Sequence, residues 1–479
     1  MIETIFLLVA FLLAVLLIVA IVIVTGVTSH QPGRMFSYLM LLITCVSVGQ
    51  TLLSERVLKI EEYGLSISSE SDIGGTILAK LLLLVVVGCS VALCVSWPFV
   101  AQKNRQVLSR FGMRGLVEPN EIVISFMIFF VAFSIVPILF GAKYYFHVSL
   151  VYPFFVFLAL FLWVRLSSID PVIVAKHCLG LLVVVSLGSA AFLPELAIQP
   201  GYQSFIPGFD IRLWGVTSHA NSLGAIAATF LLFEVAEPSE RKWLRNCILV
   251  AATIALIMTQ SKTSIMATFF GLIVLAWWRL QIDSKKKDGS NVQNKSLVAI
   301  VLIAVSIVLI VVSSFWIVFS EDLSLIQVLE GGLTSSEAAS VMSASGRTTI
   351  WDIAIQGGLE NPLFGQGGSF WTETRLMRDL SAASSAHNLF LQVFSRSGFF
   401  GLFALLLFFY FLLQYSIRAS SFTRGGSVAF MVLFLTRGIF EAAIQPNSIL
   451  AGEFFAMMFF FLYVIDRGAK PIKEVQGLA

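Results

Sequence analysis

Long stretches with hardly a charge alternate with short polar interruptions from one end of the chain to the other. Within these stretches the apolar residues run unbroken, following neither the helical nor the strand period of a half-buried element. About 20 residues at a rise of 1.5 Å cross a hydrocarbon core of about 30 Å, so each stretch is a candidate span. Thirteen candidates can be read, at 4–25, 36–53, 76–98, 121–141, 148–168, 171–194, 220–236, 246–260, 263–280, 297–319, 388–414, 427–444 and 449–465. The pair at 246–260 and 263–280 is the least regular, with two short runs only a few residues apart. Lipid gives backbone groups no hydrogen-bond partner, so only helices or closed barrels can span it. A barrel would need alternating segments of about ten residues. None occurs, so helices are predicted throughout. The first run has no basic flank before it and no small-residue cleavage site after it, which predicts a retained helix and not a signal peptide.

Composition excludes a soluble alternative. Of 479 residues, 58% are hydrophobic and 12% charged, against roughly 25% charged in soluble domains. Lys and Arg in the connecting segments set the orientation. Lys103, Arg105, Arg110 and Arg114, then Arg241, Lys242 and Arg245, then Lys285, Lys286 and Lys287, and finally Arg467, Lys470 and Lys473 all fall on one side of a thirteen-span chain, the expected cytoplasmic side. The other side receives the N-terminus, the acidic loop Glu55 to Asp72, the loop Pro194 to His219 and the segment Ser320 to His387. The tract QIDSKKKDGSNVQNKS reads as a polar cytoplasmic linker. Cys45, Cys89, Cys94, Cys178 and Cys247 lie in or beside spans and form neither a disulfide framework nor a metal motif, so they read as small buried hydrophobes. No metal and no cofactor is expected, because no His/Asp/Glu cluster with ligand spacing lies in the outer segments. A net charge of +3 suggests no nucleic-acid surface. No internal repeat of the transporter kind is evident. The expected organisation is N-terminal transmembrane helices over 1–200, central transmembrane helices over 201–319, a large periplasmic loop over 320–387, and C-terminal transmembrane helices with a tail over 388–479.

The segment 320–387 is far longer than the roughly 15 residues beyond which a loop is usually functional or disordered. It contains SGRTTIWDIAIQGGLENPLFGQGGSFW. The piece TTIWDIAIQGGL places Ile350, Ile353 and Ala354 on one face of a short amphipathic helix. Asn361-Pro362 stops that helix, and Gly365, Gly367 and Gly368 predict a tight turn. The loop closes on SSAHNLFLQVFSRSGFFGLFALLL, which puts His387 where the chain re-enters the membrane.

This order of motifs carries a resemblance. A long outer loop opens with Gly-Arg, continues through Trp and Asn-Pro-Leu-x-Gly-x-Gly, and closes with His-Asn before Gly-x-x-Gly at the next span. It resembles the O-antigen ligase and polymerase superfamily of bacterial cell envelopes. SHANSLG (218–224) is similar to that superfamily's His-x-Asn segment opening a span, and SKTS (261–264) to its Ser-Arg-small segment between two short spans. Phe370-Trp371 after the glycines looks most like exopolysaccharide repeat-unit polymerases of the succinoglycan type. The resemblance covers roughly residues 200–460, and the first 200 match in hydropathy alone.

What the resemblance implies is an all-α polytopic membrane protein of about 12–13 transmembrane helices, GT-C-like, with short helices in its periplasmic loop. It implies a metal-independent glycosyltransferase in the bacterial inner membrane that moves a glycan from a polyprenyl diphosphate to an acceptor hydroxyl. The acceptor is a second lipid-linked repeat unit for a polymerase, or lipid A–core for a ligase. The implied partners are these lipid-linked glycans, membrane lipid and, for a polymerase, a chain-length regulator. By resemblance His387 is the general base, followed by Asn388, and Arg347 is the diphosphate ligand, its planar fork matched to phosphate oxygens. Lys262 stands where the superfamily often has arginine and would be the second diphosphate ligand; a snorkelling lysine is the plainer alternative. Arg437 and Glu441 lie four residues apart inside a predicted span, on one helix face. They either hold the substrate phosphate or form a buried ion pair that locks the bundle. Arg212 is a further candidate phosphate or sugar ligand, while His219 and Asn221 either shape the cavity or cap the helix. Trp351, Phe370 and Trp371 either stack on sugars or float the loop on the membrane. A transporter or flippase for lipid-linked sugars is the rival of another class. It would need ionisable residues near mid-bilayer in repeated halves, and only Arg437 and Glu441 fit.

Overall fold

The computed structural model describes residues 31–52, 56–61, 64–67, 77–103, 121–202, 209–286, 350–372, 385–444 and 452–468. The predicted spans at 4–25 and 297–319, and Arg347, lie outside them. The described helices are α1 (Met35–Leu52), α2 (Ile77–Lys103), α3 (Glu121–Phe140), α4 (Tyr152–Trp163), α5 (Pro171–Phe192), α6 (Ala220–Ala236), α7 (Lys242–Met258), α8 (Lys262–Lys286), α9 (350–360), α10 (Leu389–Ala419), α11 (Gly426–Phe440) and α12 (Gly452–Gly468). Among the described residues seven helices are long and apolar enough to cross a membrane, and two shorter apolar ones, α6 and α11, pack among them. The protein is a polytopic helical membrane protein.

Helices joined by a short described turn, such as α7 and α8 or α10 and α11, run in opposite directions. One end of the bundle therefore gathers the segments that follow α1, α3, α5, α7 and α11, together with the described part of 350–388. At this end the chain departs from a purely helical reading. Two small antiparallel hairpins form, β1 (Leu58–Glu61) with β2 (Gly64–Ile67) and β3 (Ile198–Pro200) with β4 (Ile211–Leu213). Segments folded back over a bundle end must still pair their backbone groups, and short hairpins do so locally. Beneath them the buried Arg56 guanidinium donates to the carbonyls of Leu196 at 2.7 Å, Gly215 at 2.7 Å and Thr217 at 2.6 Å, tying three turns together.

The innermost helix is α6, which packs on α5, α7, α8, α11 and α12. Its sequence, ANSLGAIAATFLLFEVA, explains why. Small residues let backbones approach closely where lipid supplies no hydrophobic drive between helices. A Cβ at Gly224 would lie 2.7 Å from Ser264 Oγ and 2.8 Å from Ser261 Cβ. Towards the middle of the bundle, Phe126 sits edge-on to Phe157, Phe161 and Phe408 at centroid distances of 5.7, 5.2 and 5.2 Å. At the opposite end, Arg467 of α12 pairs with Asp170 at 2.6 Å and Glu237 at 3.1 Å, and Lys176 of α5 pairs with Glu234 at 2.9 Å. These contacts fasten α12 and α5 to the foot of α6. Of the cysteines, Cys178 is buried as expected, whereas Cys45 and Cys247 lie on the outer surface.

Two span boundaries differ from the sequence reading in ways that shape the site. The last-but-one span, read as 427–444, ends as a helix at Phe440, and Glu441 is extended (φ −147°, ψ 158°). The next span up the chain, α10, is broken at Gly398, whose φ of 61° and ψ of −160° no side-chain-bearing residue adopts readily.

Candidate active site

His387 sits at the bundle end just before α10, with a φ of 46° that few non-glycine residues take up. The next residue explains how it is held. Asn388 caps α10, its Oδ1 accepting from Leu391 N at 3.0 Å, while its Nδ2 donates to the carbonyl of Ile439 at 3.0 Å. That second bond ties the start of α10 to the end of α11 and brings His387 against Glu441. Nδ1 of His387 lies 3.1 Å from Oε2 of Glu441. The other carboxylate oxygen, Oε1, accepts from Asn221 Nδ2 at 2.9 Å. Asn221 Oδ1 in turn accepts from Arg212 Nη2 at 2.6 Å, and Arg212 Nε donates to Thr259 O at 2.9 Å. Arg212 also stacks over Tyr202, 4.7 Å from its centroid. The chain His387–Glu441–Asn221–Arg212 thus joins four residues from three separate parts of the sequence.

Glu441 and Arg437 are not partners. An extended residue after the helix end turns its side chain off the helix face, so the expected i, i+4 pair does not form. Arg437 is fully buried and faces α12 and α8 instead. Its Nε donates to Glu453 Oε1 at 2.8 Å, its Nη2 also bonds Glu453, and its Nη1 donates to Thr263 Oγ1 at 2.6 Å and Ser264 Oγ at 2.9 Å. Arg437 thus ties α11 to α8 and α12, the bundle-locking arrangement that the sequence offered as one of its two readings. Glu453 was missed by the sequence reading. The rule that flagged Arg437, a charge within an apolar run, applied equally to it.

The turn between α7 and α8 hangs on the same lock. Gln260, with a φ of 51°, donates from Nε2 to Phe209 O at 2.9 Å. Ser261, Thr263 and Ser264 are buried towards Arg437, and Lys262 between them is exposed. Lys262 is therefore displayed on a braced turn at the bundle end, near the residues joined to His387 through Thr259 and Arg212.

His219 caps α6, its Nδ1 accepting from Asn221 N at 3.1 Å. The cap is His219 itself, and Asn221 in the first turn is free to reach Glu441. Because Nδ1 already accepts a bond, the imidazole proton resides on Nε2. The ring packs on Trp214 with centroids 4.5 Å apart. Enclosure in protein, with a smaller push from the Arg212 charge, holds its pKa down at about 3. Its Nδ1 lone pair is taken up by the Asn221 amide. The loop aromatics turn inward: Trp351 Nε1 donates to Ala386 O at 3.0 Å, and Trp371 packs with Ile350, Ala354 and Ala386. They form the small core that supports the approach to His387, a role not foreseen for them. His147 caps the turn Val148–Leu150.

Residues 247–406, about a third of the chain, match the family model Wzy_C, described as O-antigen ligase. The match takes in Lys262, Arg347 and His387, while Arg212, Asn221, Arg437, Glu441 and Glu453 lie outside it. No curated protein matches the chain. From α7 into α10 the chain is thus similar to the Wzy_C model, described as O-antigen ligase.

Proposed function

We propose that the protein is a metal-independent glycosyltransferase that polymerises polyprenyl-diphosphate-linked oligosaccharide repeat units at the periplasmic face of the bacterial inner membrane. The observation that carries the reading is the His387–Glu441 contact at the end of the bundle. When Nδ1–H donates to a carboxylate, the tautomer is fixed and the lone pair lies on Nε2, the arrangement of a positioned general base. In the proposed reaction the acceptor hydroxyl loses its proton to Nε2 and its oxygen bonds to the anomeric carbon. The bond from that carbon to the diphosphate oxygen breaks, and the electron pair leaves with the lipid diphosphate. Fixed cations would stabilise the growing charge. Arg347 and Lys262 are the ligands assigned to it, with Arg212 in support through Asn221. The ligase reading uses the same chemistry on a lipid A–core acceptor, and the description of the matched family favours it.

The test is a purified protein given a lipid-linked repeat unit with either acceptor. Polymer from repeat units alone, undiminished in chelator, is expected. Transfer only to lipid A–core would replace the polymerase with the ligase. His387→Ala should lower turnover by roughly 10²- to 10⁴-fold while the donor still binds. Glu441→Gln, which no longer dictates the tautomer, should lower it as well. Arg347→Ala should weaken binding and turnover together, Arg347→Lys should restore them only in part, and Lys262→Arg should be tolerated. Near wild-type polymer from a folded His387→Ala protein would remove the base and with it this mechanism.

A further inference from the structure

Helix α9 presents three faces. Ile350, Ile353, Ala354, Gly357 and Gly358 are buried against the loop core and α10. At about 3.6 residues per turn, Asp352, Gln356 and Glu360 form an exposed polar stripe, and Ile355 and Leu359 form a second exposed stripe beside it that is apolar. The apolar stripe continues from Leu359, 59% exposed, into the turn that follows, where Leu363 is 62% exposed. A soluble loop helix has no reason to keep such residues in water, at a cost of about 25 cal/mol per Å² of apolar surface.

The level of this stripe is fixed by its neighbours on two spanning helices. Phe399 N donates to Pro362 O at 2.7 Å and Phe400 N to Leu363 O at 3.1 Å. The ring of Phe364 lies 5.2 Å from that of Phe140, at the end of α3, and 6.2 Å from that of Phe400. Span α3 is 20 residues long, so Phe140 marks the edge of the hydrocarbon core. Helix α10 has 31 residues, more than the core requires. Counting about 20 residues back from Ala419 reaches Phe399 and Phe400. Both counts put Leu363 at the same boundary. Above it come Tyr144 and Phe146, exposed aromatics of the type that favours the headgroup level.

We infer that α9 and the turn to Phe364 form an interfacial membrane element, with Ile355, Leu359 and Leu363 immersed in the hydrocarbon of the outer leaflet and Asp352, Gln356 and Glu360 facing water. The occupant of the exposed apolar stripe is bilayer hydrocarbon, because the stripe is continuous with the lipid-facing residues Phe399, Phe400 and Phe403 of α10. Helices that lie in the interface divide in this way between an apolar and a polar face. The element anchors the described part of the long loop at the depth where the diphosphate of a lipid carrier would sit, but the inference rests on the spanning helices and not on the reaction.

The wild-type protein in phosphatidylethanolamine–phosphatidylglycerol vesicles can be photolabelled with a lipid-partitioned diazirine and, separately, oxidised by hydroxyl radicals from the water, each mapped by mass spectrometry. Diazirine adducts are expected on Ile355, Leu359 and Leu363 at a level like that of Phe403. Radical oxidation should spare these three. Leu359→Lys, with a charged head able to reach water, should insert normally yet abolish the adduct at that position. Oxidation of Leu359 and Leu363 without diazirine adducts would place the stripe in water. Protection from both reagents would mean that a protein surface, such as a second copy, covers it. Either result overturns the inference.

Discussion

Buried charge is the most informative feature at the scale of single residues. The sequence reading flagged Arg437 and Glu441 because charges inside apolar runs are rarely idle, and both stand in buried polar networks, but not as a pair. Pairing depended on where α11 stops, and a helix end within an apolar stretch leaves little local mark. Past Phe440 the chain runs EAAIQPNSILAGEFF, so its first proline, Pro446, comes six residues after the helix end and does not mark it. Residue-by-residue reading therefore named candidate side chains, while their partners came from packing between distant segments, as with Asn221 and Glu441, 220 positions apart. The lock itself is testable. Arg437→Met leaves the largely buried Glu453 of α12 without its cation, and breaking a buried pair from one side costs roughly 3–5 kcal/mol. Thermal unfolding in detergent should drop sharply for Arg437→Met. The double variant Arg437→Met/Glu453→Gln, which removes the orphaned charge, should recover much of the loss. An equal loss in both would mean that the hydroxyl contacts of Thr263 and Ser264 matter more than the ion pair.

At the scale of elements, the motif Asn-Pro-Leu-x-Gly-x-Gly was legible as a stop and a turn, and Gly365 and Gly367 do take positive φ values of 71° and 105°. What the motif docks against was not legible. It is inserted between α3 and α10, with Ala142 N donating to Gly365 O at 3.1 Å on one side and Gly367 N donating to Arg396 O at 3.0 Å on the other. The insertion is possible because α10 is broken at Gly398. A Cβ there would lie 2.4 Å from the carbonyl carbon of Leu363 and 2.5 Å from the Pro362 oxygen. Hydropathy sees only an apolar run with two glycines and reports one continuous span. Gly398→Ala should therefore do more harm than Gly271→Ala, whose nearest contacts are 3.4 Å away and whose backbone is helical. Strain of about 1–3 kcal/mol from the backbone alone is expected, with the contact adding to it. Limited proteolysis of Gly398→Ala should release residues 350–372 before the bundle unfolds. Cleavage unchanged from wild type would show that the motif holds without the kink.

At the scale of the whole molecule, composition and run length sufficed to foresee a helical bundle, and every predicted span that falls on described residues has its helix. The alternation of helix directions then gives the bundle two chemically distinct ends. Arg34, Arg241, Lys242, Arg418 and Arg424 are exposed at one end, with Arg467 among its acidic partners. The other end shows Lys80, Lys143 and Lys262 on its surface and turns Arg56 and Arg212 inward. The positive-inside bias predicts that the first end is cytoplasmic and the His387 end periplasmic. Two exposed positions test this directly, Glu195 beside the β3–β4 hairpin and Glu240 between α6 and α7. In intact cells a membrane-impermeant maleimide should label Glu195→Cys and leave Glu240→Cys untouched until the membrane is opened, the wild-type protein supplying the background from its native cysteines. Glu195 and Glu240 sit in segments separated by the single span α6, so they must report opposite sides whatever the outcome. Labelling of Glu240→Cys alone in intact cells would turn the whole bundle over. It would put His387 and Lys262 in the cytoplasm, where the energetics of the proposed transfer would stay the same but a periplasmic polymerase would no longer be tenable.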